Sequence, residues 1–287
     1  MTGNEIRFDP IRNRHVIIAP RRAKRGGFTD ACPFCPEARR GKKVMPNAYP
    51  IVSPKDRRAY GHHALIIDTP KHDEHFEDLS IAKLAGLIKI YAEATAKMEN
   101  DRRVKYVLVA KNSGRTAGAS KPHAHTQVMA FDFLSPMLKD ESFRAFWHRQ
   151  RHQGRCWACQ EDASEVKGPR LIYRDRHAIA FAPAASAFPF EAAIRTRRHI
   201  DNLTQMTAGE RRSVAAALKR VVATLKGLGI EYNFVIHDIV DDADQHLTLQ
   251  IFPRRGTWGG LEFDSGVTVN AVPPETAASQ YRRYRLR

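Results

Sequence analysis

Apolar and polar positions recur in a fixed order along this chain. The run HHALIIDTP reads as a strand, and His72 follows it into DEHFEDLS. Next, IAKLAGLIKIYAEATAKM carries its apolar residues at helical spacing and predicts one long amphipathic helix. The apolar run VKYVLVA, a glycine-bearing loop and HAHTQVMAF then predict two more strands. A second series repeats the order: HAIAFAPAAS and FEAAIRT, the helical AGERRSVAAALKRVVATLKGL, then YNFVIHDIV and HLTLQIFPR. This is a duplicated α+β unit of roughly 130 residues, each copy having antiparallel strands and one long helix. The expected fold is two mostly antiparallel sheets with packed helices. The expected halves are residues 1–140 and 150–287. Between them lies the polar stretch 136–155, whose FRAFWH predicts a short helix rather than a loose tether.

Composition narrows the class. With 287 residues and 43% hydrophobic content, the chain can bury a sizeable core. Its 47 Lys and Arg against 31 Asp and Glu leave a formal charge of +16, a surface that favours anions such as phosphates or nucleotides. No apolar run approaches the roughly 18–20 residues of a membrane-spanning helix. The opening MTGNEIRFDP has no secretory apolar core, so a cytoplasmic protein is expected. The basic run PRRAKR at 20–25 follows the strand-like HVIIA. Its arginine forks suit phosphate oxygens, and a merely solvated face is the alternative. Nucleic acid is not the expected partner. No stacking strand rich in aromatic residues accompanies the run, and the cysteines lack zinc-finger spacing.

The four cysteines form two C-x-x-C pairs, Cys32/Cys35 and Cys156/Cys159. In a reducing compartment such pairs favour a cation over a disulfide, with a redox pair as the alternative. Each pair needs two more ligands, and histidines stand at matching distances. Cys35 to His72 spans 37 residues and Cys159 to His199 spans 40. His123 and His246 then open the last strand of each copy. Two structural zinc sites are predicted: Cys32, Cys35, His72 and His123; and Cys156, Cys159, His199 and His246. Around His246 the loop DDADQ offers carboxylates as alternative ligands. A full four-ligand shell leaves no open position for Lewis-acid chemistry.

Candidate chemistry concentrates at His123-Ala-His125-Thr-Gln127. In a strand, alternate residues share a face, about 6.6 Å apart, so neighbouring imidazoles can take different roles. His123 can bind metal while His125, neutral and oriented, attacks phosphorus. Gln127 can donate its amide to a phosphoryl oxygen as charge builds. Upstream, Gly114, Gly118 and Ser120 allow close approach of backbone to phosphate. The second copy reads His246-Leu-Thr248-Leu-Gln250, which keeps the ligand and replaces the nucleophile by threonine.

These residues resemble the galactose-1-phosphate uridylyltransferase family of the histidine triad superfamily. The resemblance covers nearly the whole chain: RFDPIRNRHVIIAPRRAKR with CPFCP, TPKH with EDLS, NSGRTAGAS, PHAHTQ, HLTLQIFPR and GVTVNAVPPETAA. It implies two histidine-triad-like halves, the catalytic one first, and a ping-pong mechanism. His125 would take a nucleotidyl group from a nucleotide sugar and pass it to a sugar 1-phosphate or to phosphate. Gln127 matches the residue that hydrogen-bonds the transferring phosphoryl group. Asn112 and Ser120 match phosphate-contacting positions, Arg22 and Arg25 match arginines near the phosphates, and a homodimer is implied. Uridylyl transfer between UDP-glucose and galactose 1-phosphate is the leading reading. Adenylyl transfer or phosphorolysis of ADP-glucose or a dinucleoside polyphosphate is the alternative within this class. A zinc-stabilised nucleotide- or RNA-binding protein without turnover is the alternative outside it. The chain departs from the family pattern at Ala124 (usually Pro) and Thr126 (usually Gly) inside the motif, and at Lys121 (often Asn) just before it.

Overall fold

The computed structural model describes residues 3–24, 32–38 and 40–285. Strands β1 (Glu5–Asp9) and β2 (Arg14–Ile18) form a hairpin apart from the main sheet. The main sheet contains β3 (Val44–Pro46), β4 (Gly61–Ile67), β5 (Tyr106–Ser113), β6 (His125–Phe131) and β7 (Leu171–Arg174). It continues with β8 (Ala178–Phe181), β9 (Ala192–Thr196), β10 (Tyr232–Ile239) and β11 (Thr248–Pro253). The helices are α1 (Ile81–Glu99), α2 (Pro136–Arg151), α3 (Trp157–Glu165), α4 (Ala208–Gly227), α5 (Gly260–Ser265) and α6 (Pro274–Arg283).

Strand order across the sheet is β3-β4-β6-β5-β10-β11-β9-β8-β7, and each neighbouring pair is antiparallel. The order is symmetric about its middle: β4-β6-β5 is answered by β9-β11-β10. Helix α1 follows β4 as α4 follows β9, so the duplication read from the spacing is a duplication of topology. The two sheets expected from the sequence are the two ends of one. β5 pairs with β10 in unbroken register from Tyr106↔Ile239 to Ser113↔Tyr232. An unpaired strand edge exposes a row of N–H and C=O groups, and here each copy's inner edge satisfies the other's. The hinge-like stretch between the copies is α2, longer than the short helix expected there, and it docks through Leu138.

Helices α1 and α4 lie on one face of this sheet. Ser80 caps α1 by accepting from Lys83 N, and Leu84, Leu87, Ile88 and Tyr91 form its buried stripe. In α4, Thr207 and Glu210 make a reciprocal capping box, and Val214, Leu218, Val221, Val222 and Leu225 face inward. Both stripes join one core with Val128, Ala130, Phe234, Ile236, Leu249 and Ile251 from the sheet. Burying a side chain such as Leu84 contributes about 1.5–3 kcal/mol. The alternation along β6 sends Val128 and Ala130 into that core and leaves His125 and Gln127 on the opposite face, away from α1 and α4. No helix among the described residues is long and apolar enough to cross a membrane.

Candidate active site and metal centres

On the face opposite α1 and α4 a cleft of about 350 Å³ opens over β6. His125, Gln127, Asn112, Ser120 and Arg22 all line it, as does Lys121. Five of the six residues expected to carry catalysis or phosphate binding therefore meet in one cavity. The sixth, Arg25, lies outside the described residues. Arg22 is held at the rim by donating from Nη1 to the Tyr49 carbonyl at 3.0 Å.

His125 is buried at the floor, and its Nδ1 lies 2.9 Å from the His123 carbonyl oxygen. A carbonyl only accepts, so Nδ1 carries the proton and Nε2 carries the lone pair. Burial lowers the imidazole pKa, and the nearby Lys111 ammonium lowers it further, against the hydrogen bond to the His123 carbonyl. The ring is therefore neutral near pH 7, as a nucleophile requires. Phe34, from the turn between Cys32 and Cys35, packs its ring 4.8 Å from the His125 ring.

Behind His125, on the helix side, lies a buried polar cluster. Lys111 donates from Nζ to Asp68 Oδ2 at 2.7 Å and to the His125 carbonyl at 3.1 Å. Thr126 donates to Asp68 at 2.9 Å, and the Tyr91 hydroxyl lies 2.9 Å from Thr126 Oγ1. The Lys111 and Asp68 side chains are 2% and 0% exposed, so losing one partner would strand a buried charge. This cluster fixes the backbone on which His125 sits. It also accounts for Thr126: the hydroxyl serves Asp68 beneath the sheet and does not face the cleft.

The loop after β5 is fastened by the other copy. Asn233 of β10 donates to Asn112 Oδ1 at 2.8 Å and to the Ala117 carbonyl at 2.7 Å. Asn112 in turn donates to the Gly118 carbonyl at 3.3 Å. The Glu231 carboxylate accepts from Thr116 N at 2.6 Å, and the Arg115 and Ala117 amides also lower its pKa against the opposing effect of burial. The expectation that Gly114 opens the loop for phosphate is corrected. Its φ is +96°, and a Cβ there would collide with Glu231, so this glycine admits a carboxylate of the protein itself. Gly118 and Ser120 remain on the cleft.

Both predicted ligand sets are assembled. In each, the four ligating atoms lie within 4.8 Å of one another. In the first, Cys32 Sγ is 3.5 Å from His123 Nδ1, and Cys35 Sγ is 3.6 Å from His72 Nδ1. In the second, Cys159 Sγ is 3.7 Å from His199 Nδ1 and 3.5 Å from His246 Nδ1. A tetrahedral ion with N/S ligands at zinc distances requires S···N separations of about 3.6 Å. His123 Nε2 lies 2.8 Å from the Thr69 carbonyl, and His246 Nε2 lies 3.1 Å from the Thr196 carbonyl. Each carbonyl takes the ring's proton and leaves Nδ1 as the ligand atom. Of the acidic alternatives at His246, Asp244 is engaged elsewhere, lying 3.2 Å from Arg149. Both groups can therefore hold a metal ion.

Several functional neighbours escaped the sequence reading: Lys111, Asp68, Asn233, Glu231 and His63. His63 comes from β4, and its Nε2 lies 3.1 Å from Gln127 Oε1. Only the period-2 pattern of GHHALII could have pointed to it, since that pattern puts His63 and Leu65 on the cleft face.

Comparison with known proteins bears on this arrangement. The profile of the galactose-1-phosphate uridyl transferase N-terminal domain matches residues 37–135, which carry the cleft floor. The galactose-1-phosphate uridylyltransferase of Thermotoga maritima is 24% identical, over 97% of this chain and 98% of that one. The chain is similar to the galactose-1-phosphate uridylyltransferase family. A solved uridylyltransferase structure superposes with a TM-score of 0.88 at 28% identity, covering 97% of each chain. ADP-glucose phosphorylase of Arabidopsis thaliana is 26% identical, over 98% of this chain and 93% of that protein. Its crystal structure with bound ADP-glucose superposes with a TM-score of 0.81, covering 99% of this chain and 100% of that one. The relatives it resembles are thus named for two different nucleotides.

Proposed function

We propose that this chain is a nucleotidyltransferase acting on nucleoside diphosphate sugars through a nucleotidyl-His125 intermediate. The observation that carries the reading is the Nδ1–H of His125 held by the His123 carbonyl, which presents the Nε2 lone pair to the cleft. Nε2 attacks the α-phosphorus, and the P–O bond to the departing sugar 1-phosphate breaks as the N–P bond forms. The His123 carbonyl supports the positive charge the ring acquires. Gln127 donates its amide to a non-bridging oxygen, and Asn112, Ser120 and Arg22 hold the phosphates. In the second half-reaction an acceptor phosphate oxygen attacks phosphorus and the N–P bond breaks, which restores neutral His125.

Uridylyl transfer from UDP-glucose to galactose 1-phosphate is the leading version, supported by the likeness to named uridylyltransferases. A second version, transfer of AMP from ADP-glucose to phosphate, is favoured by the full-length likeness to ADP-glucose phosphorylase. Cys32, Cys35, His72 and His123 would hold one zinc ion, and Cys156, Cys159, His199 and His246 a second. Zinc in such closed shells supplies folding energy. The expected homodimer would cover the exposed apolar strip of Leu261, Phe263, Val267 and Val269, and light scattering reads it.

Intact-protein mass decides the central step. Wild type and His125→Asn are incubated briefly with UDP-glucose or ADP-glucose without acceptor. One nucleoside monophosphate adduct in wild type, absent in the variant, is the expected result, and its mass names the base. No adduct with either donor in folded, zinc-replete protein overturns the reading in favour of a binding protein without turnover.

A further inference from the structure

We propose that His63 is a positioning residue that sets which end of the Gln127 amide faces the transferring phosphoryl group. The argument starts from a donor whose direction is not in question. The backbone N–H of Ile51 lies 3.2 Å from His63 Nδ1, and a backbone amide nitrogen can only donate. Nδ1 is therefore the bare nitrogen of a neutral ring, and Nε2 carries the proton.

Two side-chain amides stand beside that proton. Asn47 cannot accept that proton: its oxygen accepts from Tyr49 N at 2.8 Å, and its Nδ2, 3.0 Å from Nε2, is a second donor beside it. Gln127 Oε1, at 3.1 Å, is the acceptor. With its oxygen taken, Gln127 presents its NH2 end to the cleft, where a phosphoryl oxygen accumulates charge. The rotated amide would aim a carbonyl oxygen at that charge and repel it. Unlike a lone glutamine, whose two orientations differ little in shape, this one is keyed to a backbone amide through one imidazole. His63 is 8% exposed and sits on β4 directly opposite Met129 of β6, so the relay runs between paired strands. His63 touches no reacting atom in this account.

The rate effect rests on the nucleotidyl-transfer reading, and the tautomer does not. His63→Ala should slow nucleotidylation of His125 about 10–100-fold, with the KM for the nucleotide sugar changed less than about threefold. His63→Gln, whose amide can reach the place of Nε2–H, should recover most of the loss. In a Gln127→Ala background, His63→Ala should cost less than about twofold, because the group it orients is gone. An equal loss in both backgrounds, or no loss with Gln127 present, overturns the proposal. Side-chain nitrogen NMR of the zinc-loaded wild type provides a second measurement that needs no turnover. His63 is expected as the neutral Nε2–H tautomer, its Nε2–H signal moving in Gln127→Ala. The Nδ1–H tautomer or a doubly protonated ring overturns the relay. Absence of any adduct in wild type would instead count against the transferase reading alone.

Discussion

The two copies place their key residues in the same register and use them differently. In the first, His125 stands opposite Ile67 of β4, and Gln127 stands opposite Leu65. In the second, Thr248 stands opposite Arg195 of β9, and Gln250 stands opposite Ala193. Thr248 donates its hydroxyl to the His246 carbonyl at 2.9 Å, the bond that His125 makes to the His123 carbonyl at the same distance. The ligand knuckle, the carbonyl acceptor and the glutamine are all duplicated, and the imidazole of His125 is not. The surroundings have diverged too. The second cleft, about 460 Å³ under α2, is lined by Glu141, Asp242 and Asp244. Its Arg195 is bound to Glu161 and Asp162, each at 2.8 Å. Where the first copy has Asn112, the second has His237, whose burial pushes its pKa down to about 4. The comparison separates what the fold needs from what the chemistry needs. Ligands and strand pairing belong to both copies, whereas an anion-welcoming cleft over a free imidazole belongs to one.

Transplanting the difference should produce the largest effect. His125→Thr should reduce nucleotidylation at least about a thousandfold. Thr248→His should leave the adduct at one nucleotide per chain by intact mass, because carboxylates outnumber the arginines lining its cleft and Arg195 is already bound to Glu161 and Asp162. A second adduct in Thr248→His would show that the copies differ only in the nucleophile.

Metal removal should split the copies next. Cys35→Ala and Cys159→Ala should each drop zinc from about two to about one per chain by elemental analysis. Only Cys35→Ala should abolish the adduct, because the Cys32–Cys35 turn carries Phe34 against His125. Cys159→Ala should keep the adduct and lose several °C of melting temperature, roughly the shift for 1–3 kcal/mol in a chain this long.

A smaller effect concerns the residues facing the lost and kept nucleophiles. Arg195→Met leaves Glu161 and Asp162 without their partner and should cost about 3 kcal/mol in urea unfolding. The mirror change Ile67→Met keeps volume and polarity and should cost less than about 1.5 kcal/mol. Equal costs would mean that Arg195 gains nothing from its carboxylates.

The smallest effect is at the helix starts, where α4 has a capping box and α1 a single serine cap. Arg198 holds the Glu210 pKa down to about 2 against burial, from an ordinary 4.5. A folded-state pKa below the unfolded one stabilises above the unfolded pKa and is lost as pH falls through the folded one. The melting difference between wild type and Glu210→Gln should therefore be complete above about pH 5 and fade towards pH 2, by calorimetry. Ser80→Ala in α1 should cost about 1 kcal/mol with no such pH dependence.

Much of this was legible before any coordinates. Periodicity marked both long helices and the strands that flank them, because a stripe three to four residues apart has one way to be buried. Spacing alone paired Cys35 with His72 and Cys159 with His199, and alternation put His125 and Gln127 on one face. What stayed hidden depends on partners far away in sequence. Nothing near Lys111 announces that Asp68 waits beneath it, 43 residues upstream. Joining the two sheets into one required knowing that the inner edges of β5 and β10 would meet. The glycine loop misled in part, because an amide row that suits phosphate suits a carboxylate as well.

That carboxylate ties synthesis to competence. Glu231 leaves the ribosome 115 residues after the Thr116 amide that it anchors, and Asn233 follows two positions later. Until then the cleft loop lacks its anchors on Glu231 and Asn233, although His125 and the ligand set beside it have long been made. A nascent or truncated chain ending within the first copy would hold the nucleophile without the loop that presents substrate to it. Readiness to react therefore arrives with the copy that has no nucleophile of its own.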